Sequence, residues 1–185
     1  MNKLALVALG VAVASVSFGQ NLLANPGFET GDLTGWTLVH QGAFSGVNVG
    51  GGSPHSGVDY FGMGAVSLSD QSDFYQDLAT TVGQTYTCSF WAYDISNPGT
   101  GFINVTFGGT QVGPASGSVA STYTQYSASI MATSTTTRFE VTGWEAAQYV
   151  ISDDYNVSAP VPEPASMTAL GIGVIALVRR RRNRK

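Results

Sequence analysis

Positive charge is nearly missing from the middle of this chain. Of its eight lysines and arginines, Lys3 stands near the amino end and seven positions from Arg179 to Lys185 hold six more, so only Arg138 remains between Gln20 and Pro160. The same stretch holds eleven carboxylates, which leaves it a formal charge of −10. A surface of that sign repels phosphate backbones, so nucleic-acid partners are excluded, while divalent cations and neutral partners are favoured. Cysteine is equally scarce. Cys88 is alone, so no intramolecular disulfide can form. Its alternation with Thr87 and Ser89 places it beside Tyr86 and Phe90, where a thiol packs as a small, inert hydrophobe.

Catalytic signatures are absent too. There is no G-x-S-x-G elbow, no H-E-x-x-H and no P-loop. His40 and His55 have no evident Ser or Cys partner, and neither Asp73 with Asp77 nor Glu140 with Glu145 is a diagnostic acid–base pair. The middle therefore reads as non-enzymatic. Apolar spacing at helical period is also missing between Gln20 and Pro160, which excludes a helix-rich fold.

What is present is alternation over five to ten residues, interrupted by Gly, Asn, Asp, Ser and Pro. Tyr86, Cys88, Phe90 and Ala92 share one face, and Thr87, Ser89, Trp91 and Tyr93 share the other. Asn97-Pro98-Gly99 predicts a turn. Ile103, Val105 and Phe107 form the next inward row, followed by Tyr126, Ala128, Ile130 and Ala132, then Phe139 and Val141, and last Ile151, Tyr155 and Val157. Strands of this length, rich in Thr, Val, Tyr and Phe, predict an all-β fold, an antiparallel sandwich over residues 20–159. Glycine-dense residues 41–64 are expected to be long loops around one weak strand.

Three aromatics invite a binding role. Trp91 and Tyr93 project away from the expected core, and Trp144 is expected in a loop after Gly143. Exposed rings can stack on the apolar C–H faces of sugars while nearby Asp, Asn or Gln orient the hydroxyls. The competing reading makes them structural, with Trp91 covering a half-exposed sheet against a loop and Trp36 capping the core.

The two ends have a different character. Met1-Asn2-Lys3 and the apolar run Leu4–Val16 have the layout of a secretory signal peptide, with cleavage expected after Gly19. Residues 160–185 have three parts: Pro162-Glu163-Pro164, the uncharged run Ala165–Val178, and the basic cluster from Arg179. Prolines on both sides keep Glu163 out of any helix interior. Fourteen uncharged residues make a short transmembrane helix at or below the ~17–25 that span a bilayer, and the basic cluster is expected to stay cytoplasmic.

This tripartite tail resembles the PEP-CTERM sorting signal. The resemblance implies recognition by an exosortase-type transpeptidase in a Gram-negative cell. Residues 165–178 would anchor the chain transiently in the inner membrane, and the remainder would pass to the cell surface or extracellular matrix. A second resemblance begins at Asn21-Leu22-Leu23-Ala24-Asn25-Pro26-Gly27-Phe28-Glu29-Thr30-Gly31, with Gly35-Trp36 closing it. It continues through Pro54-His55-Ser56-Gly57, Tyr86–Ala92 and Tyr149-Val150-Ile151-Ser152-Asp153-Asp154. These segments are similar to those of galactose-binding-like jelly rolls, including carbohydrate-binding modules. That likeness implies a jelly-roll β-sandwich and a structural Ca2+ held by Glu29 and Asp153, with Asp154 as a competing ligand. The alternative is that these carboxylates only accept backbone N–H bonds in turns. A transition metal is poorly served, since only His40, His55 and Cys88 could ligate one. Two functions follow as expectations: a non-catalytic structural component of the exopolysaccharide or biofilm matrix, or a carbohydrate-binding module that holds a polysaccharide.

Overall fold

A computed structural model describes residues 19–95, 101–113, 119–146 and 148–159, together with Gly171 and Gly173. The signal segment expected over 1–19, apart from Gly19, lies outside the described residues. So do the Pro162-Glu163-Pro164 motif, the run 165–178 expected as a helix (apart from Gly171 and Gly173), and the Asn97-Pro98-Gly99 turn. Among the described residues no helix is long and apolar enough to cross a membrane.

The alternating segments become strands: β1 (Thr37–His40), β2 (Gly46–Asn48), β3 (Tyr60–Met63), β4 (Ser72–Ala79), β5 (Thr85–Asp94), β6 (Phe102–Phe107), β7 (Thr110–Gln111), β8 (Thr124–Met131), β9 (Thr136–Trp144) and β10 (Val150–Ser158). They form two five-stranded sheets, ordered β1-β4-β9-β6-β7 and β2-β3-β10-β5-β8. Every pairing is antiparallel. The all-β sandwich expected from the alternation is thus the observed architecture.

The core lies between the sheets. Phe61, Phe74, Phe90, Phe139 and Tyr155 are each at most 1% exposed, and burial of such side chains stabilises by about 1.5–3 kcal/mol each. Trp36 joins them at 5.1 Å from Phe74, and its indole N–H donates to the Asn25 carbonyl at 3.1 Å. It caps the core, as read from the sequence. Cys88 is buried, and burial pushes its thiol up to about 12.

Three expectations need correction. Residues 41–64 contain two strands, β2 and β3, because Tyr60–Met63 is wholly buried and pairs on both edges. Trp144 is the last residue of β9 rather than a loop residue, held by pairing with Phe102. Ile151 does not share an inward row with Tyr155 and Val157. A register shift between Asp153 and Asn156, with Asp154 at φ +49°, inserts an extra residue. Val150 therefore joins the core cluster instead of Ile151.

Candidate functional site

Three places bring polar chemistry together. The first is where the opening segment meets the β10 bulge. Gly31 N–H donates to the Phe28 carbonyl and Tyr155 N–H to the Pro26 carbonyl, so Glu29 is carried to the Gly57–Asp59 loop. Its carboxylate accepts from the Val58 and Asp59 backbone at 3.1 Å. Gly57, at φ +62°, is required there, because a Cβ would collide with that carboxylate. Asp153 Oδ2 accepts from His55 N–H at 2.8 Å and Ser56 N–H at 3.2 Å. Asp154 Oδ2 lies 2.6 Å from His55 Nδ1, and its Oδ1 accepts from Ser56 Oγ at 2.7 Å.

The bulge thus assembles the three residues named from sequence, Glu29, Asp153 and Asp154, around one loop. Asp153 is fully buried, and burial, with the Asp154 charge adding, pushes its carboxyl up to about 6. Gly27 stands beside all three carboxylate side chains. A Cβ there would lie 3.3 Å from Asp153 Oδ1, 3.5 Å from Asp154 Oδ1 and 3.8 Å from Glu29 Cγ. Among the described residues no three His, Cys, Asp or Glu side chains converge tightly enough to hold a metal by themselves, so any cation would need carbonyl oxygens as well.

The second place is the outer face of the β2-β3-β10-β5-β8 sheet. Pairing puts Trp91 opposite both Asp153 and Gln125. The His55 ring stacks on Trp91 with centroids 3.9 Å apart and planes 16° apart. Tyr123 closes against His55 at 5.1 Å and against Tyr93 at 4.6 Å, and donates its hydroxyl to the Ser53 carbonyl at 2.7 Å. The 53–58 loop therefore lies over Trp91, and burial raises the Tyr123 hydroxyl above its ordinary value.

The third place is the outer face of the opposite sheet. Register sets polar and aromatic side chains in rows across β4, β9 and β6: Asp73, Thr142 and Asn104 in one, Tyr75, Glu140 and Thr106 in the next. Trp144 pairs with Phe102 at the end of the same face, their rings 6.4 Å apart and nearly perpendicular. Arg138 lies over the Tyr75 ring at 3.5 Å and grips Asp77 through two N–H bonds of 2.9 and 3.2 Å. Asp73 Oδ1 is buried without a hydrogen-bond partner among the described residues. Burial holds its carboxyl above the usual range, with Arg138 and His40 partly offsetting this.

Trp91 and Tyr93 thus share one face of the sandwich and Trp144 belongs to the other, so the three candidates do not form one groove. Sequence reasoning assigned no binding role to Tyr75, Phe102, Arg138 or Glu140. Their signal was visible in Asp73-x-Tyr75-x-Asp77 and Arg138-x-Glu140-x-Thr142-x-Trp144, each alternating with core residues.

Residues 160–182 match the family model described as the PEP-CTERM protein-sorting motif, which marks an exported protein processed by an exosortase at the membrane. No curated protein matches the chain by sequence. Among solved structures, TmCBM61 in complex with β-1,4-galactotriose is 19% identical, with a TM-score of 0.55 over 75% of this chain and 97% of that one. The CBM22-1 xylan-binding domain from Paenibacillus barcinonensis Xyn10C is 14% identical, with a TM-score of 0.56 over 80% of this chain and 99% of that one. The enzymatically active domain of tailspike protein 4 from bacteriophage CBA120 is 14% identical, with a TM-score of 0.56 over 75% of this chain and 21% of that one. At these identities the likeness is one of fold. The chain combines a PEP-CTERM sorting motif with a β-sandwich whose structural neighbours are carbohydrate-binding-module jelly rolls.

Proposed function

We propose that this is an exported, non-catalytic surface protein that holds a neutral polysaccharide on the outer face of the β1-β4-β9-β6-β7 sheet. The observation that carries the reading is the arrangement of Tyr75, Phe102 and Trp144 among Asp73, Asn104, Glu140 and Thr142 on one face. The rings offer apolar planes to the C–H faces of sugars, and the half-buried polar side chains offer hydroxyl acceptors and donors between them. Asp73, Asp77 and Glu140 outnumber Arg138 on this face, and Arg138 is already engaged by Asp77. Uronic acids would therefore be repelled, and uncharged chains such as the β-1,4-galactotriose and the xylan of two structural neighbours fit better. Delivered to the cell surface by the sorting tail, with residues 1–19 removed as a signal peptide, the domain would act as a structural component of an exopolysaccharide matrix.

The Glu29–Asp153–Asp154 junction is assigned a structural calcium ion. Glu29 and Asp153 supply hard carboxylate oxygens, with loop carbonyls to complete the shell. Burial of Asp153 beside the Asp154 charge favours a cation there. Bound calcium would neutralise these carboxylates and tie the first segment of the domain to its last strand. Affinity electrophoresis of the mature domain in neutral galactan and xylan, against an acidic polygalacturonate gel, tests the binding reading. Retardation in a neutral gel that is lost in Trp144→Ala supports it. Free migration in every neutral gel would overturn it.

A further inference from the structure

The charge of the mature domain is unevenly placed. No Asp, Glu, Lys, Arg or His occurs from Leu78 to Tyr93 or from Ile95 to Thr137. Topology brings three of the connections in these stretches to one pole, while Ala120, before β8, meets Asp94 at the other. Met131 pairs with Thr85 and Thr136 with Ala79, so the 80–84 and 132–135 turns lie side by side. Gly108 N–H donates to the Arg138 carbonyl, which brings the 108–109 turn to the same end. The nearest charged strand residues are Asp77 and Arg138, which neutralise each other. The pole exposes Thr81, Gly83, Thr133, Ser134, and the apolar Val82 and Met131, both 58% exposed. Asp70, Asp73, Asp94 and Glu145 lie at the opposite end of the strands.

Both ends of the domain also leave from this pole. β10 finishes at Ser158, beside Thr87 near the start of β5. Asn21 clasps it there. Its side-chain amide donates to the Tyr155 carbonyl at 2.8 Å, and its Oδ1 accepts from Val157 N–H at 3.0 Å. Leu22 N–H adds a bond to the Val157 carbonyl at 2.8 Å. Ala165, where the anchor reading begins, follows Ala159 by only six residues, a reach of at most roughly 22 Å at ~3.3–3.6 Å per residue.

We propose that this charge-free pole is the membrane-facing end of the domain, resting on an anionic lipid surface while the unprocessed chain is anchored. The inference rests on the reading of residues 165–178 as the anchor. With so short a tether, the pole is held within a few Debye lengths of the headgroups, each about 8 Å at physiological ionic strength. Carboxylates at that end would be repelled by anionic lipid; its turns carry none and Asp77 is paired with Arg138, so a strongly acidic domain can lie close. A protein partner at the pole would instead be expected to find Trp, Tyr or Arg anchors, and these turns offer threonine, serine, glycine, alanine, one valine and one glutamine, with Met131 beside them.

The test uses the unprocessed chain in vesicles of equal parts phosphatidylglycerol and phosphatidylcholine. Buried Cys88 leaves single cysteines free for labelling, so Thr133→Cys at this pole is compared with Ser69→Cys at the other. Quenching by headgroup spin-labelled lipid is expected to be several-fold stronger at position 133. Thr81→Asp with Thr135→Asp should reduce it, and phosphatidylcholine-only vesicles should restore it. Equal quenching at both poles on a chain that floats with the vesicles overturns the inference alone. Quenching at position 133 that appears only with the sorting transpeptidase present also overturns it, in favour of a protein contact. Failure to float removes the anchor reading and the inference with it.

Discussion

The two outer faces of the sandwich carry similar inventories and have opposite fates. On the β2-β3-β10-β5-β8 sheet, Trp91, Tyr93 and Tyr123 are met by the chain itself: His55 stacks on Trp91 and Ser53 receives the Tyr123 hydroxyl. On the β1-β4-β9-β6-β7 sheet, Tyr75, Phe102 and Trp144 alternate with half-buried polar groups, and the contact to Tyr75 comes from Arg138 on the neighbouring strand. An aromatic side chain on a sheet is a ligand platform only if no loop of its own chain has claimed it. The first face uses its rings to fasten a loop, whereas on the second Arg138 lies over Tyr75 and Phe102 and Trp144 meet each other.

The largest expected effect separates these roles. Tyr75→Ala or Trp144→Ala should weaken binding of a neutral glycan by about tenfold or more, as for a central aromatic anchor, while Trp91→Ala should leave it unchanged. Isothermal titration of the three variants with the same oligosaccharide decides this. Urea unfolding should reverse the ranking. Loss of the Trp91–His55 stack should cost about 1–3 kcal/mol, below the range for a fully buried tryptophan, because Trp91 is only partly buried.

Calcium comes next. Saturating ion should raise the thermal midpoint, since a ligand at 100 times its dissociation constant contributes about 2.7 kcal/mol, and Glu29→Gln or Asp153→Asn should abolish the rise. The pH dependence has a fixed sign. Because burial lifts the Asp153 carboxyl from 3.8 to about 6, the folded state holds this proton more tightly than the unfolded chain. In chelator, the contribution is fully present below about pH 4 and is lost as pH rises through about 6. Asp153→Asn should flatten that window, and calcium, which takes the ionised form, should act most strongly above it. The smallest effect is chemical. Cys88, its thiol pushed up to about 12 by burial, should resist alkylation at neutral pH until denaturant is added.

Local rules made much of the fold legible. Alternation placed β5, β6, β8 and β9, and Trp36 as a cap on the core followed from the aromatic that closes the opening motif. The losses occurred where alternation is broken by something non-local. The β10 bulge at Asp154 moves Ile151 out of the core row, and it exists because Asp153 and Asp154 must reach a loop nearly a hundred residues away. β3 was hidden because Tyr60–Met63 is buried on both faces and so shows no alternation. For the site, the carboxylates Glu29, Asp153 and Asp154 do come together. The grouping of Trp91 and Tyr93 with Trp144 failed because strand order, which the sequence does not display, puts β5 and β9 in different sheets.

The most direct test is amide chemical-shift mapping of the mature domain titrated with a neutral β-1,4-linked oligosaccharide. Glycan held on the first sheet predicts perturbations at Tyr75, Asn104, Glu140, Thr142 and Trp144, with Trp91, Tyr93 and Tyr123 unmoved. Perturbations confined to Trp91, Tyr93 and the 53–58 loop would contradict it.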